Sequence, residues 1–191
     1  MQRKLNKMPD NDIKLAYGAA FSSQGFGYIG ALLITDYKGF PLEFRYTDPI
    51  VPTKIQQVLY GNGLEKYIKI DVILDSLIKA MSSSSKILLV QDEDLLNYKS
   101  EDLIIIRLSP TKVPPLSQVG EVSNVKKNEY LIQTSNASSP VRIQFADYFS
   151  CEGDKFNYAI NALIESGSTM NIEEPLGRVY KTLDLISSQE I

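Results

Sequence analysis

The apolar residues of the chain fall into short runs separated by turn residues. The first run, residues 28–35 (YIGALLIT), is followed by Asp36-Tyr37-Lys38-Gly39 and then by residues 41–47 (PLEFRYT), where apolar and polar side chains alternate. Alternation of this kind is typical of a half-exposed strand, and the glycine suits a turn that needs a positive φ. The pattern therefore predicts a β-hairpin.

A helical region follows the hairpin. Thr53 and Gln56 match the capping box of a helix start. Residues 61–63 (GNG) interrupt this first helix, and apolar residues then recur at helical spacing. We expect a long second helix over residues 64–81, lying across the hairpin.

The rest of the chain adds strands and two closing helices. The predicted strands are residues 86–90 (KILLV), 103–108 (LIIIRL), 130–134 and 141–145, and the predicted helices are residues 156–165 and 173–186. The last two strands flank SNASSP and predict a second hairpin. Asn171 suits the N-cap of the last helix, and Pro175 fits its first turn.

This order of elements predicts an α+β fold. We expect an antiparallel sheet that is begun by a β-hairpin and covered by a long helix, with a C-terminal hairpin and two helices. Residues 1–14 are predicted to form a flexible arm and residues 15–110 the sheet-and-helix core. Residues 111–191, which begin at a proline-rich stretch, either pack on the core or form a small second subdomain.

Gly25, Gly27 and Gly30 have the G-x-G-x-x-G spacing of a dinucleotide-binding loop. That loop requires a helix that begins within the motif, whereas GFGYIG leads into a predicted strand. We therefore expect a bend into the strand with close packing at Gly30, and no cofactor.

The chain contains no histidine, although its 191 residues include 23 acidic and 20 basic ones. This absence excludes Ser-His-Asp and Cys-His catalysis, histidine-based zinc sites and histidine-held haem. Cys151 is the single cysteine, so cysteine-based metal clusters and an internal disulfide are excluded as well. Glu152 and Asp154 should raise the pKa of its thiol rather than activate it. Carboxylate-held magnesium, lysine chemistry, a Ser-Lys pair or no catalysis remain open.

The formal net charge of -3 gives no overall attraction to nucleic acid or to anionic membranes. The chain has neither a signal-peptide pattern nor a run of about 18 apolar residues that would span a membrane. We therefore expect a cytoplasmic protein without membrane contact. Were nucleic acid nevertheless bound, the basic contacts would be Arg3, Lys4, Lys7, Lys126 and Lys127.

Acidic residues flank the loop between the predicted strands 86–90 and 103–108. Carboxylates at strand ends can hold magnesium, which makes Asp92 and Asp94 candidate ligands of a hydrolase or nuclease. Asp92 followed by EDLL also fits a helix cap, and no basic or nucleophilic residue accompanies the acids in the same stretch. Whether the protein is an enzyme is left uncertain, with the balance against catalysis and no catalytic residue assigned.

Five aromatic residues gather on the first hairpin and on the helices expected to cover it. They are Phe40, Phe44, Tyr46, Tyr60 and Tyr67. Core packing accounts for most of them, and a partner surface is the alternative, because tyrosine and phenylalanine are typical of interface cores.

The segment ALLITDYKGFPLEF and the order of elements around it resemble roadblock and longin-type domains, which are profilin-like, over about residues 28–108. The stretches YIGALLITD, PLEFRYT and QQVLYG also resemble a conserved prokaryotic group, which implies a genuine folding unit but no activity. The first resemblance implies a non-catalytic module that dimerises or docks through its sheet and long helix, often on a nucleotide-dependent partner.

We therefore predict a non-catalytic accessory or scaffold subunit of a larger intracellular prokaryotic complex. Its expected partners are other protein subunits, such as an NTPase or a nuclease, with a homodimer as a further option and no direct contact with nucleic acid. Two alternatives are kept: a magnesium-dependent hydrolase or nuclease that uses Asp92 and Asp94, and a nucleic-acid-binding accessory protein.

Overall fold

The computed structural model describes residues 13–23, 25–135 and 139–188, and within them one mixed sheet runs through the fold. Its strands are β1 (Lys14–Ser23), β2 (Gly27–Asp36), β3 (Pro41–Tyr46), β4 (Ile87–Val90), β5 (Ile104–Ser109), β6 (Val122–Lys126), β7 (Glu129–Ile132) and β8 (Val141–Phe145). They lie in the order β3-β2-β1-β4-β5-β8-β7-β6. β4 runs parallel to both β1 and β5, and the other neighbours are antiparallel. The fold is thus mixed α+β with a mostly antiparallel sheet.

Helical segments lie on both sides of the sheet. They are α1 (Lys54–Tyr60), a 3₁₀ turn (Gly61–Gly63), α2 (Leu64–Tyr67), a π-helical segment (Ile68–Leu74), α3 (Asp75–Ala80), a 3₁₀ helix (Asp94–Asn97), α4 (Gly153–Thr169) and α5 (Glu174–Ser188). The helical run from α2 to α3 is continuous and confirms the predicted second helix. Among the described residues, no helix is both long and apolar enough to cross a membrane.

The predicted hairpins are confirmed as β2–β3 and β7–β8, and the capping box at Thr53 is present. The sheet does not begin with the hairpin, however, because β1 precedes it and occupies a central position. The sequence of β1, KLAYGAAFSS, is rich in small residues, so its apolar pattern is weak. Most of the predicted flexible arm, residues 1–12, lies outside the described residues, whereas Ile13 is buried and Lys14 begins β1.

The central strands are buried on both faces. Ile87 and Leu89 of β4 face the apolar cluster under α4 and α5, whereas Leu88 and Val90 face the cluster under the α2–α3 run. A strand enclosed in this way needs apolar residues at every position. This explains why KILLV shows no alternation.

The glycine motif lies at the entry to β2. Gly27 is the first residue of the strand, with a φ of +100° and its α-carbon close to the carbonyl of Ile50. The predicted strand entry is confirmed, and no helix begins within the motif. Gly30 packs so tightly that a Cβ there would come within 2.3 Å of Ile73 Cγ2 and 2.9 Å of the Ala19 carbonyl oxygen.

We expect Gly30→Ala to destabilise the protein by about 1–3 kcal/mol, because the added methyl group would force the helix and the strand apart. The matched control is Gly177→Ala in α5, where nothing lies within 4 Å of the added Cβ. That change should stabilise the helix by about 0.5–1 kcal/mol. Urea denaturation of the two variants measures both changes in the free energy of unfolding. If the two substitutions changed it equally, the packing argument would be contradicted.

Glu43 ties β3 to the loop after α3. Its carboxylate accepts hydrogen bonds from the backbone N–H groups of Ser82, at 3.1 Å, and Ser83, at 2.7 Å. Arg45 Nε adds a contact of 3.1 Å. The backbone hydrogen bonds from Ser82 and Ser83 lower the pKa of Glu43 from 4.5 to about 2.

A depressed pKa means that Glu43 contributes stability above pH 4.5, and that this contribution is lost as the pH falls towards 2. Glu43→Gln should therefore lower the urea midpoint near neutral pH, and the difference from the wild type should shrink on acidification through this window. Glu101→Gln is the matched control, because Glu101 is exposed and, among the described residues, only its backbone carbonyl accepts a hydrogen bond, from Lys155. A difference that stays constant with pH would refute this assignment.

Candidate functional site

The carboxyl end of β4 brings three carboxylates together around one lysine. β4 ends at Val90, and the chain continues through Gln91 to Asp92. The carboxyl ends of the parallel strands β1, β4 and β5 share one edge of the sheet. Ligands of open α/β sheets bind at such an edge, which makes this region the first candidate for a site.

Lys69 lies at the centre of this group. Its Nζ is 2.6 Å from Glu65 Oε1, 2.9 Å from Asp92 Oδ2 and 3.9 Å from Asp94 Oδ2. Lys69 is only 8% exposed, whereas the side chains of Glu65 and Asp94 reach the surface. We refer to Glu65, Lys69, Asp92 and Asp94 as the Lys69 cluster.

Local structure fixes each member of the cluster. Lys69 lies in the π-helical segment between two buried isoleucines, and Glu65 is one turn earlier on the same helical run. Asp92 Oδ1 accepts a hydrogen bond of 2.9 Å from the Asp94 N–H, which shapes the turn before the 3₁₀ helix. The helix cap that the sequence suggested for Asp92 is not formed, because Glu93 is the N-cap residue of the 3₁₀ helix and makes no side-chain cap hydrogen bond.

Electrostatics hold Lys69 in its charged form. Burial alone would lower the pKa of this ammonium, but hydrogen bonds to Glu65 and Asp92 and the charges of both carboxylates raise it above its usual range. The lysine therefore stays protonated at neutral pH and offsets part of the negative charge that Asp92 and Asp94 carry.

The cluster does not present an open set of ligands for magnesium. In the part of the chain that the structure describes, no group of three or more acidic or cysteine side chains is arranged to hold a metal ion. The Lys69 ammonium lies between the carboxylates, where a divalent cation would have to sit, and like charges repel. Asp92 and Asp94 do approach each other, as the sequence suggested, but around a lysine.

Sequence reasoning missed Lys69 and Glu65. The acidic stretch itself contains no basic partner, and Lys69 lies on a helix 23 residues before Asp92. The available signal was the pattern IKIDVIL, in which one lysine stands between isoleucines. A charged residue at a position enclosed by apolar neighbours usually has a buried partner.

The five predicted interface aromatics lie just before β3, on β3, and on α1 and α2. Phe40 and Tyr46 are 66% and 52% exposed, and Tyr60 and Tyr67 are also exposed and stack at 4.7 Å between ring centroids. Phe44 alone is half-buried against the core. Core packing therefore does not account for most of this set, and a partner surface there stays a prediction.

Cys151 is not an activated thiol. Burial raises its pKa, and a hydrogen bond with Tyr130 opposes that rise. The direction agrees with the prediction, although the main cause is burial rather than the charges of Glu152 and Asp154.

The fold of the chain is similar to that of solved endonuclease V structures. No protein-family model and no curated protein matches the chain. The solved structure of endonuclease V from Streptomyces avermitilis is similar with a TM-score of 0.60 and 11% identity, over 95% of this chain and 85% of that one. Endonuclease V of Ciona intestinalis in complex with inosine-containing DNA gives 0.50 and 11%, over 93% and 84%. The chain therefore has the fold of the endonuclease V structures.

This likeness corrects two predictions. The resemblance to roadblock and longin-type domains was wrong. It covered only residues 28–108, which leave out β1 and the strands β6 to β8, whereas the similarity to endonuclease V covers 95% of this chain. The non-catalytic scaffold role was inferred from that resemblance, so it is overturned as well.

Proposed function

We propose that this protein acts on nucleic acid as a nuclease-class hydrolase of phosphodiester bonds, with its site at the carboxyl end of β4. One observation carries the proposal: the Lys69 cluster lies at the carboxyl edge of the parallel strands in a chain that has the endonuclease V fold. The proposal departs from the expectation that nucleic acid is not contacted directly, which rested on net charge alone.

Asp92 is the residue best placed for chemistry in the cluster. Its two carboxylate oxygens are held by different donors, Oδ1 by the Asp94 N–H and Oδ2 by Lys69 Nζ, so its orientation is fixed. A fixed carboxylate can take the proton of a water molecule while the water oxygen bonds to phosphorus. The bond from phosphorus to the leaving sugar oxygen breaks, and that oxygen takes a proton from solvent.

Lys69 supplies a positive charge beside that carboxylate. An ammonium fixed before the reaction can stabilise negative charge that develops on the phosphoryl oxygens. Magnesium has no step in this proposal, because the Lys69 ammonium already lies among the carboxylates that would have to bind the ion.

The test is cleavage of labelled oligonucleotides by the whole chain. Single-stranded and duplex DNA and RNA, with and without an inosine, are incubated with the protein in magnesium, in manganese and in EDTA. Cleavage that survives EDTA and disappears in Asp92→Asn supports the proposal. Failure to cut every substrate under all three conditions would overturn it.

Binding of nucleic acid without hydrolysis is the second candidate, and the ion pairs of Lys69 favour it. A carboxylate that is already neutralised by an ammonium at 2.9 Å is a weaker base than a free one. In this case the wild type and Asp92→Asn would both bind oligonucleotides, and neither would cut them.

A further inference from the structure

The second half of the sheet leaves one face uncovered. One face of these strands packs against α4 and α5 through Ile106 and Leu108 of β5 and Ile143 of β8. Side chains alternate along a strand, so the neighbouring residues in β5 and β8 point to the other face. There, the apolar cluster under the α2–α3 run includes Ile105 of β5 but no described residue of β6, β7 or β8. We call this uncovered side of β5, β8, β7 and β6 the open face.

Strand register places polar residues in one row across the open face. Val90 of β4 pairs with Arg107, Arg107 with Gln144, Gln144 with Glu129, and Glu129 with Lys126. Neighbouring strands lie about 4.8 Å apart, so the row from Arg107 to Lys126 covers about 14 Å. The row begins beside the end of β4, where the Lys69 cluster lies.

This row forms the floor of a groove of about 630 Å³. Its charged lining comprises four basic residues, Arg107, Lys112, Lys126 and Arg142, and two acidic ones, Glu93 and Glu129. The local formal charge is thus +2 in a chain of net charge -3. A cationic groove in an acidic protein attracts polyanions locally, whatever the charge of the whole chain.

Buried Glu129 holds two of these cations in place. The residue is 4% exposed, and its carboxylate lies 3.0 Å from Lys126 Nζ and 3.3 Å from Arg142 Nη1. The Lys126 and Arg142 side chains remain 68% and 43% exposed, so each can contact a second anion.

Arg107 joins the groove to the Lys69 cluster. Its Nε donates to the Gln91 carbonyl at 2.9 Å, and its Nη1 lies 3.3 Å from Glu93 Oε2. Gln91 and Glu93 flank Asp92 directly in the chain. A strand bound along the groove would therefore be led towards the carboxyl end of β4.

From this geometry we infer that the open face is a binding track for the phosphate backbone of nucleic acid, which leads to the Lys69 cluster. The lining contains no aromatic side chain on which bases could stack, so recognition is of phosphates and is independent of sequence. The inference rests on the proposed function for its substrate class and adds where that substrate lies.

The test is binding of a labelled oligonucleotide, single-stranded or duplex, to the whole chain in EDTA over a series of salt concentrations. Lys112→Gln is the main variant, because Lys112 is exposed and lines the groove without a recorded ion pair among the described residues. Loss of one phosphate contact should reduce the slope of log affinity against log salt by about 1. The matched control, Lys127→Gln, removes an exposed lysine that is not in the groove lining and should leave the slope unchanged.

Glu129→Gln gives a test of opposite sign. It removes a negative charge from the groove floor, while the glutamine oxygen can still accept hydrogen bonds from Lys126 and Arg142, so binding should tighten. Unchanged or weaker binding in the folded variant would count against the track. Thermal melting checks that the variant is folded.

Equal effects of Lys112→Gln and Lys127→Gln would overturn the track, because they would show diffuse attraction only. If these two variants bind alike while the oligonucleotide is still cut, the track is wrong and the proposed hydrolase stands. If Lys112→Gln alone weakens binding but no condition gives cleavage, the hydrolase is wrong and the track stands.

Discussion

Lys69→Met is expected to destabilise the protein and to convert it into one that divalent cations stabilise. The change removes the ammonium that lies between Glu65 and Asp92 and leaves their charges facing each other and Asp94. Removing one partner of a fully buried ion pair costs about 3–5 kcal/mol, but the carboxylates here are partly exposed, so we expect about 1–3 kcal/mol.

A divalent cation should then restore part of that loss. Without the ammonium, the carboxylates that now surround Lys69 would have no cation between them, and oxygen ligands are those that magnesium and manganese prefer. An ion that binds only the folded state raises its stability in proportion to the logarithm of its concentration. The variant should therefore gain stability on addition of magnesium or manganese chloride, whereas the wild type should not.

The measurement is urea denaturation of both proteins with and without each cation, at constant ionic strength. Lys66→Met is the matched control, because Lys66 lies on the same helical run, is exposed and has no recorded ion pair in the described residues. It should behave as the wild type does. Equal stabilisation of the wild type and Lys69→Met by magnesium would show that the lysine does not block the ion.

The sequence pattern was enough to predict those elements that pack against the next element along the chain. The hairpin β2–β3, the hairpin β7–β8 and the helical run from α2 to α3 depend on turn residues, alternation and helical spacing, all of which can be read within about 20 residues. The whole sheet order could not be read in this way, because the pairs β1–β4 and β5–β8 join distant segments.

β1 and β6 were missed for opposite reasons. β1 is a fully central strand, yet its positions next to the covering helix are filled by small residues such as Gly18, whose Cβ would meet Leu88 at 3.2 Å. Large apolar side chains do not fit there, so the periodic signal is weak. β6, VSNVK, is an exposed edge strand and needs little apolar surface.

The candidate site could be predicted only in part. Asp92 and Asp94 were found because acids at a strand end are a local feature of the sequence. Their partner Lys69 was not, since its approach depends on how the α2–α3 run packs over β4. Arg107 could have been noticed in the sequence, because it is the one charged residue in the strand IIIRLS. The open face on which it lies could not, because that face depends on the register of β8 and β7.

Asp92→Asn is expected to abolish most of the cleavage while leaving nucleic-acid binding intact. The asparagine oxygen can still accept the Asp94 N–H, but the amide has no carboxylate charge and cannot take a proton from water. General-base catalysis contributes about 10²–10⁴-fold, so kcat/KM should fall by a factor in that range. The amide nitrogen would also face Lys69 as a second donor, so some loss of stability accompanies the change.

Comparison with Asp94→Asn and Asp102→Asn separates chemistry from charge. Asp94 is 3.9 Å from Lys69 and more exposed than Asp92, so its loss should reduce cleavage less. Asp102 lies on the next loop, outside the cluster, and its variant should cleave as the wild type does. All three substitutions remove one negative charge and should strengthen binding to a similar small extent. Equal loss of cleavage in all three would therefore show that Asp92 is not the base. A loss that is largest in Asp92→Asn, smaller in Asp94→Asn and absent in Asp102→Asn would place the reaction at the carboxyl end of β4, provided that Asp92→Asn still melts cooperatively and still binds the oligonucleotide.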